Sequence, residues 1–222
     1  TTEIYTLSLH DALPILILGL CMGSSAFLSI QYGKKDREAF GCGNFMAFFL
    51  IGGFAVLLSA AAYMGMDAIF VMLQIPWEVY GMMRSYVTVI YGGILATFFY
   101  NYFANSLRAV GNSLIPLLFL GVSAVLNVVL DVLFVAIFDF GISGAAAATV
   151  IAQYVSGIGI WVYAWKKVPL LRFGRGQRHF RKDILKSTLS LSLLTSMQQS
   201  IMNFGILIDR KSTRLNSSHS SK

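Results

Sequence analysis

Ser123, Asn127 and Asp131 are spaced four residues apart inside an otherwise apolar run, LIPLLFLGVSAVLNVVLDVLFVAIF (114–138). On an α-helix that spacing stacks all three on one face. Asp131 stands about seven residues from the end of the run, or about 10 Å at 1.5 Å per residue. A carboxylate at that depth in a membrane is costly and marks a functional candidate. The next apolar segment, GISGAAAATVIAQYVSGIGIWVYAW (141–165), carries Thr149 and Gln153 at the same interval. The connection between the segments, DFGI (139–142), is so short that the two helices must be antiparallel neighbours. Asp131 lies about eight residues from the turn and Thr149 about nine, so they fall at similar depth. A carboxylate, an amide oxygen and a hydroxyl could then converge. Hard oxygen ligands suit a sodium ion, and a desolvated carboxylate suits a proton carrier. The residues leave both ions open.

Plainer roles exist for the same side chains. Asp131 could hydrogen-bond across helices as structural glue. Thr149 can bond its own i−4 carbonyl. Gln153 fits interhelical bonding or a cavity lining better than ion ligation. Gly144, Ala148 and Ala152 form a small-residue ridge suited to close helix packing. Tyr86, Tyr91, Tyr100, Asn101 and Asn105 decorate a third helix, and the many Phe and Met residues could line an adaptable cavity for apolar cations.

The elements that must position these residues follow from composition. Of 222 residues, 56% are hydrophobic and only 12% charged, against about 25% charged in soluble domains. Lipid offers backbone groups no partners, so spanning elements are helices of about 20 apolar residues. The qualifying stretches run 14–32, 45–66, 84–105, 114–138, 142–165 and 184–208, too long and continuous for barrel strands. The predicted fold is all-α, a polytopic integral membrane protein with six transmembrane helices. Lys34, Lys35 and Arg37, then Arg108, then Lys166, Lys167, Arg172, Arg175, Arg178, Arg181, Lys182 and Lys186 occupy alternate connections, which places those on the cytoplasmic side. Asp67, Glu78 and Asp139, with Arg84 as the lone base, are assigned to the opposite loops. The net charge of +7 therefore reports orientation and contact with anionic lipid, not nucleic acid. Cys21 and Cys42 lack the spacing of a disulfide framework or a zinc site and are expected to be buried apolar side chains.

The opening TTEIYTLSLHDALPI and the closing DRKSTRLNSSHSSK resemble translated sequencing-adapter read-through. Residues 1–14 and 209–222 are accordingly expected to be foreign, and the chain to be an internal fragment of a longer protein.

LRAVGNSLIP (107–116), LNVVLD (126–131) and GISGAAAATVIAQ (141–153), preceded by SSAFLSIQYGKKD (24–36), are similar to the N-lobe of the multidrug and toxic compound extrusion, or MATE, transporters. The resemblance covers about 15–208. It implies a protein of twelve helices in two lobes, of which this chain supplies helices two to six (15–165), the basic interlobe loop (166–183) and the first C-lobe helix (184–208). It implies a cation-coupling site at Asn127, Asp131 and Thr149, with Tyr86 near that network, and a network or cavity for which Gln153, Ser123 and Asn101 are candidates. The family's acidic residue on helix one has no counterpart here, so the chain alone is expected not to transport.

The expected parent is a secondary exporter of small amphipathic, cationic organic compounds, driven by Na+ or H+ through alternating access. It needs no cofactor beyond that ion, partners with membrane lipid and its own missing C-lobe, and resides as a multi-pass protein in a bacterial-type inner membrane. A lipid-linked oligosaccharide or lipid flippase of the same superfamily is the alternative, although its anionic headgroup calls for intramembrane Arg or Lys, which the helical interiors lack. A membrane-embedded enzyme is remoter. It needs a nucleophile with a base, a carboxylate pair or a metal triad, against one deep carboxylate here. A purely structural membrane protein leaves the Asn127/Asp131 stripe unexplained.

Overall fold

The computed structural model describes the backbone of residues 2–72, 74–174 and 180–219, and within these the side chains of 15–72, 74–174, 180–202 and Gly205. Arg175, Arg178 and His179 of the expected loop, and the side chains of the expected foreign ends, lie outside the described residues. The elements are α1 (Thr2–Gly33), α2 (Arg37–Met72), α3 (Trp77–Ala109), α4 (Leu114–Asp131) running into a π-helical turn (Val132–Ile137), α5 (Gly141–Lys167), a 3-10 turn (Pro169–Leu171) and α6 (Lys182–His219). Among the described residues five helices are long and apolar enough to cross a membrane: Ile15–Gly33, Arg37–Met72, Trp77–Ala109, Leu114–Ile137 and Gly141–Lys167; the side chains of the expected sixth span, 184–208, lie partly outside them. The all-α polytopic architecture stands as expected, with no strand among the described residues.

Helix ends depart from the hydropathy limits. α2 starts at Arg37 and α3 at Trp77, and Asp67, Glu78 and Arg84 sit on helices rather than in loops. Apolar runs mark only the lipid-embedded part of a helix, while intrahelical bonds continue into the polar interface. Likewise α1 runs back through Pro14 to Thr2.

The turns explain the sequence motifs. Asp36 Oδ1 accepts the Ala39 N–H at 2.9 Å and caps α2. In LRAVGNSLIP, Gly111 takes φ +85°, a left-handed conformation open to glycine. The Asn112 N–H then returns to Leu107 O at 2.9 Å, and Asn112 Oδ1 accepts the Ile115 N–H at 3.3 Å to start α4. Arg172 closes α5 by donating from Nε to Trp165 O at 2.6 Å and from its guanidinium to Lys166 O at 3.1 Å.

α3 is central, packed against α1, α2 and α5, while α4 lies outside on α5, and α6 lies along α1. α4 buries only Pro116, and Leu117, Leu118, Val122, Val125, Val128 and Val129 are exposed. A soluble chain could not present such a face, but lipid can cover it. The densest core lies toward the basic end, around Phe40, Met46, Tyr102, Leu107 and Leu171. There the Tyr102 hydroxyl lies 2.6 Å from Asn44 O and 2.7 Å from Asn44 Oδ1, and Asn44 Nδ2 donates to Leu171 O at 3.2 Å. This ties the 3-10 turn to α2 and α3. Arg181 adds an exposed bridge to Glu38 at 3.7 Å, joining the starts of α6 and α2. Cys21 and Cys42 are buried free thiols.

Small residues fix how closely the helices meet. The ridge expected on α5 is buried at Gly144, Ala148 and Ala152. A Cβ on Gly157 would stand 3.2 Å from Tyr100 N and 3.3 Å from Phe99 Cβ, so α3 and α5 touch backbone to backbone there. A Cβ on Gly23 would collide with the Ser192 backbone of α6. Gly157→Leu should therefore destabilise by about 2 kcal/mol or more through overpacking. Gly121→Leu, facing open space, should be neutral; thermal unfolding in detergent, followed by circular dichroism, checks both.

Candidate functional site

α3 and α5 run parallel, with Gly93 against Val150 and Tyr100 against Gly157, while α4 returns antiparallel along α5. The expected stripes on α4 and α5 meet. Asn127 Nδ2 donates to Thr149 Oγ1 at 3.1 Å, and the Thr149 hydroxyl donates back to Ala145 O at 3.1 Å. Both readings of Thr149, back-bonded and interhelical, are thus realised by one atom. Asp131 stands one turn beyond Asn127, with Oδ1 buried and without a hydrogen-bond partner. The Thr149 proton goes to Ala145 O and one Asn127 amide N–H to Thr149 Oγ1, and neither residue donates to this oxygen.

An unpartnered buried oxygen is costly in a low-dielectric setting and marks a candidate for a ligand. Asn127 Oδ1 and Thr149 Oγ1 are further oxygens one turn away along α4, and neither residue adds positive charge. The set of a carboxylate, an amide and a hydroxyl suits a sodium ion, and the carboxylate alone suits a proton.

One turn toward the basic end, a cavity of about 230 Å³ is lined by Thr97, Tyr100, Asn101, Leu120, Ser123 and Gln153. Three of the expected network residues, Ser123, Asn101 and Gln153, therefore share one wall. The Thr97 hydroxyl donates to Gln153 Oε1 at 3.2 Å, Asn101 Nδ2 to Thr97 O at 2.8 Å, and Tyr100 OH to Pro116 O at 3.0 Å. The lining is polar but carries no ionisable carboxylate or base. Tyr86 lies outside this wall, half-buried on α3 two turns before Gly93 and packed on the apolar core. Thr97 was not singled out from the sequence. Its signal was its place four residues before Asn101, which continues the Asn101/Asn105 stripe. That stripe extends to Arg108, which donates to Asn105 Oδ1 at 3.2 Å. Among the described residues, no group of three His, Cys, Asp or Glu side chains could hold a metal ion.

Comparison with known proteins agrees with this architecture. The MatE family pattern matches residues 5–133. The chain is 34% identical over 142 residues to the "Probable multidrug resistance protein YpnP" of Bacillus subtilis (strain 168), covering 63% of this chain and 32% of that protein. It is 30% identical over 196 residues to the "Probable multidrug resistance protein YoeA" of the same organism, covering 84% of this chain and 42% of that one. The chain thus spans less than half the length of these curated relatives. Among solved structures, an outward-facing multidrug resistance MATE transporter of the MOP superfamily superposes with a TM-score of 0.80 at 23% identity, over 88% of this chain and 44% of that one. The helical order, the capping turns and the family match across more than half its residues agree, and the chain belongs to the MatE family, a family of membrane transporters and not of enzymes.

Proposed function

We propose that this chain forms one lobe and the start of a second in a cation-driven exporter of amphipathic, cationic organic compounds. Residues 15–165 supply helices two to six of the first lobe, 166–183 the interlobe connection and 184–208 the opening helix of the second. The observation that carries this reading is the unpartnered, buried Oδ1 of Asp131 beside the Asn127–Thr149 contact, at the foot of a polar cavity. Asp131, Asn127 and Thr149 hold the driving cation, Na+ or H+. Ser123, Gln153 and Asn101, with Thr97 and Tyr100, receive part of the substrate. The relatives' names, which speak of multidrug resistance, support the substrate class.

Coupling requires that cation and substrate favour different states of the two lobes. Binding of the cation at Asp131 removes the cost of its buried charge in one state, and release restores that cost in the other. The multi-pass helices support a membrane protein, and we infer that the membrane is a bacterial-type inner membrane.

In the full-length protein carrying this segment, Asp131→Asn should reduce cation-driven export by at least about tenfold, on the scale of losing a metal-site contact. Unchanged export with unchanged ion dependence in liposomes would sink the assignment. Parallel sodium and proton gradients decide the ion. Gln153→Leu replaces a polar cavity wall with an apolar one, and should shift substrate preference while the cation dependence stays in place. Export measured across a panel of compounds of graded polarity checks this.

A further inference from the structure

α4 does not end as it begins. The Val132 N–H still bonds four residues back, to Val128 O. The Phe138 N–H reaches five back, to Leu133 O at 2.9 Å, and the Phe140 N–H six back, to Phe134 O at 2.9 Å. The π-helical turn opens at Val132, immediately after Asp131. It ends the helix: Phe138 caps it and Asp139 takes φ +54° in the connection to α5, as wide turns at helix C-termini do. It accommodates one residue more than an α turn, so the connection to α5 leaves about 100° farther round α4.

The start of α5 rests on this widened turn. The Gly144 N–H donates to Phe140 O at 3.3 Å. A Cβ on Gly144 would stand 2.9 Å from Phe140 Cβ, 3.1 Å from Phe134 Cβ and 3.2 Å from Phe134 O. Glycine at this position lets the π turn and the first turn of α5 lie against each other. Thr149 follows little more than one turn along the same helix.

We propose that the π turn 132–137 and Gly144 are the positioning elements of the cation site: together they set the offset of α5 on α4 that brings Thr149 to Asn127 and leaves the buried Asp131 oxygen open to a cation. Gly144 and the π turn touch neither cation nor substrate. Their part is to orient the helices that do. The inference rests on the cation-site reading above, and its test separates the two.

The test uses the full-length protein in liposomes, with Gly144→Ala and, independently, deletion of Val135 to return the turn to α spacing. Sodium is titrated at fixed pH and protons at fixed sodium. Substrate binding is measured without a cation gradient. A Cβ in Gly144→Ala would stand 2.9 Å from Phe140 Cβ, so the turn itself must shift to admit it; circular dichroism and size-exclusion chromatography check that both variants assemble. Both variants should raise the half-saturating concentration of the driving cation about tenfold, as misplaced supporting groups do at ion sites, with substrate affinity held within about twofold. An unchanged cation response in Gly144→Ala overturns the proposal. So does equal weakening of cation and substrate, which marks a packing defect. Asp131→Asn is run alongside. If it abolishes cation dependence while Gly144→Ala changes nothing, only the positioning role fails. If Asp131→Asn changes nothing either, the cation site itself fails.

Discussion

Hydrocarbon offers neither donor nor acceptor, so every polar group on these helices must find its partner within the protein. α3 is where that constraint is met most densely. Its carbonyls accept from Tyr63 of α2 at Thr88 O, 2.6 Å, and from Ser59 of α2 at Tyr91 O, 3.1 Å. They also accept from Tyr154 of α5 at Gly92 O, 2.9 Å, and from Ser25 of α1 at Asn105 O, 2.9 Å. Three helices are oriented on one by hydroxyls that lipid could not have satisfied. Such bonds average about 0.6 kcal/mol each in membrane proteins, so they specify rotation and depth more than they hold the bundle together. Cohesion comes from the close approaches at Gly23 and Gly157 and from the aromatic packing of Phe48 against Phe98, Tyr102 and Phe173.

Against that background Asp131 is an exception with consequences. Asn127, Thr149, Thr97, Gln153 and Asn101 each have a partner, whereas Oδ1 of the one deep carboxylate has none. Among the described residues the buried hydroxyls of Thr188 and Ser192 on α6 also lack a partner, but Asp131 is the ionisable one of the three. The neutral cavity beside it adds hydrogen-bonding capacity without fixed charge.

The basic end of the molecule behaves differently. Asn44, Tyr102 and Leu171 are fully or nearly buried and bonded to one another, Arg172 caps α5, and Phe173 sits among Phe45, Phe48 and Trp165. The segment that leaves α5 is thereby part of the packed body at least to Phe173. Farther on, Arg181 pairs with Asp183 at 2.7 Å, which holds that exposed carboxyl below its ordinary range through the donated hydrogen bond. At the other end, Asp67 joins Arg84 at 3.4 Å and Tyr80 at 2.8 Å across α2 and α3, with both charged partners more than half exposed. Exposed pairs of this kind contribute little to stability.

The sequence by itself determined the helical membrane architecture, the shared face of Ser123, Asn127 and Asp131, and the common depth of that face and Thr149. Apolar run length and four-residue spacing are local properties that lipid and helix geometry translate directly. The family was legible too, because capping turns such as LRAVGNSLIP are local chemistry. Tertiary structure alone decided that Thr149 meets Asn127 and not Asp131, that Thr97 completes a cavity with Gln153, that Tyr86 stands outside it, and that α4 widens into a π turn after Asp131. Those outcomes depend on how far one helix slides and rotates against another. That register is set by volumes at distant positions, such as Gly144 against Phe134 and Gly157 against Tyr100, which no single apolar pattern records.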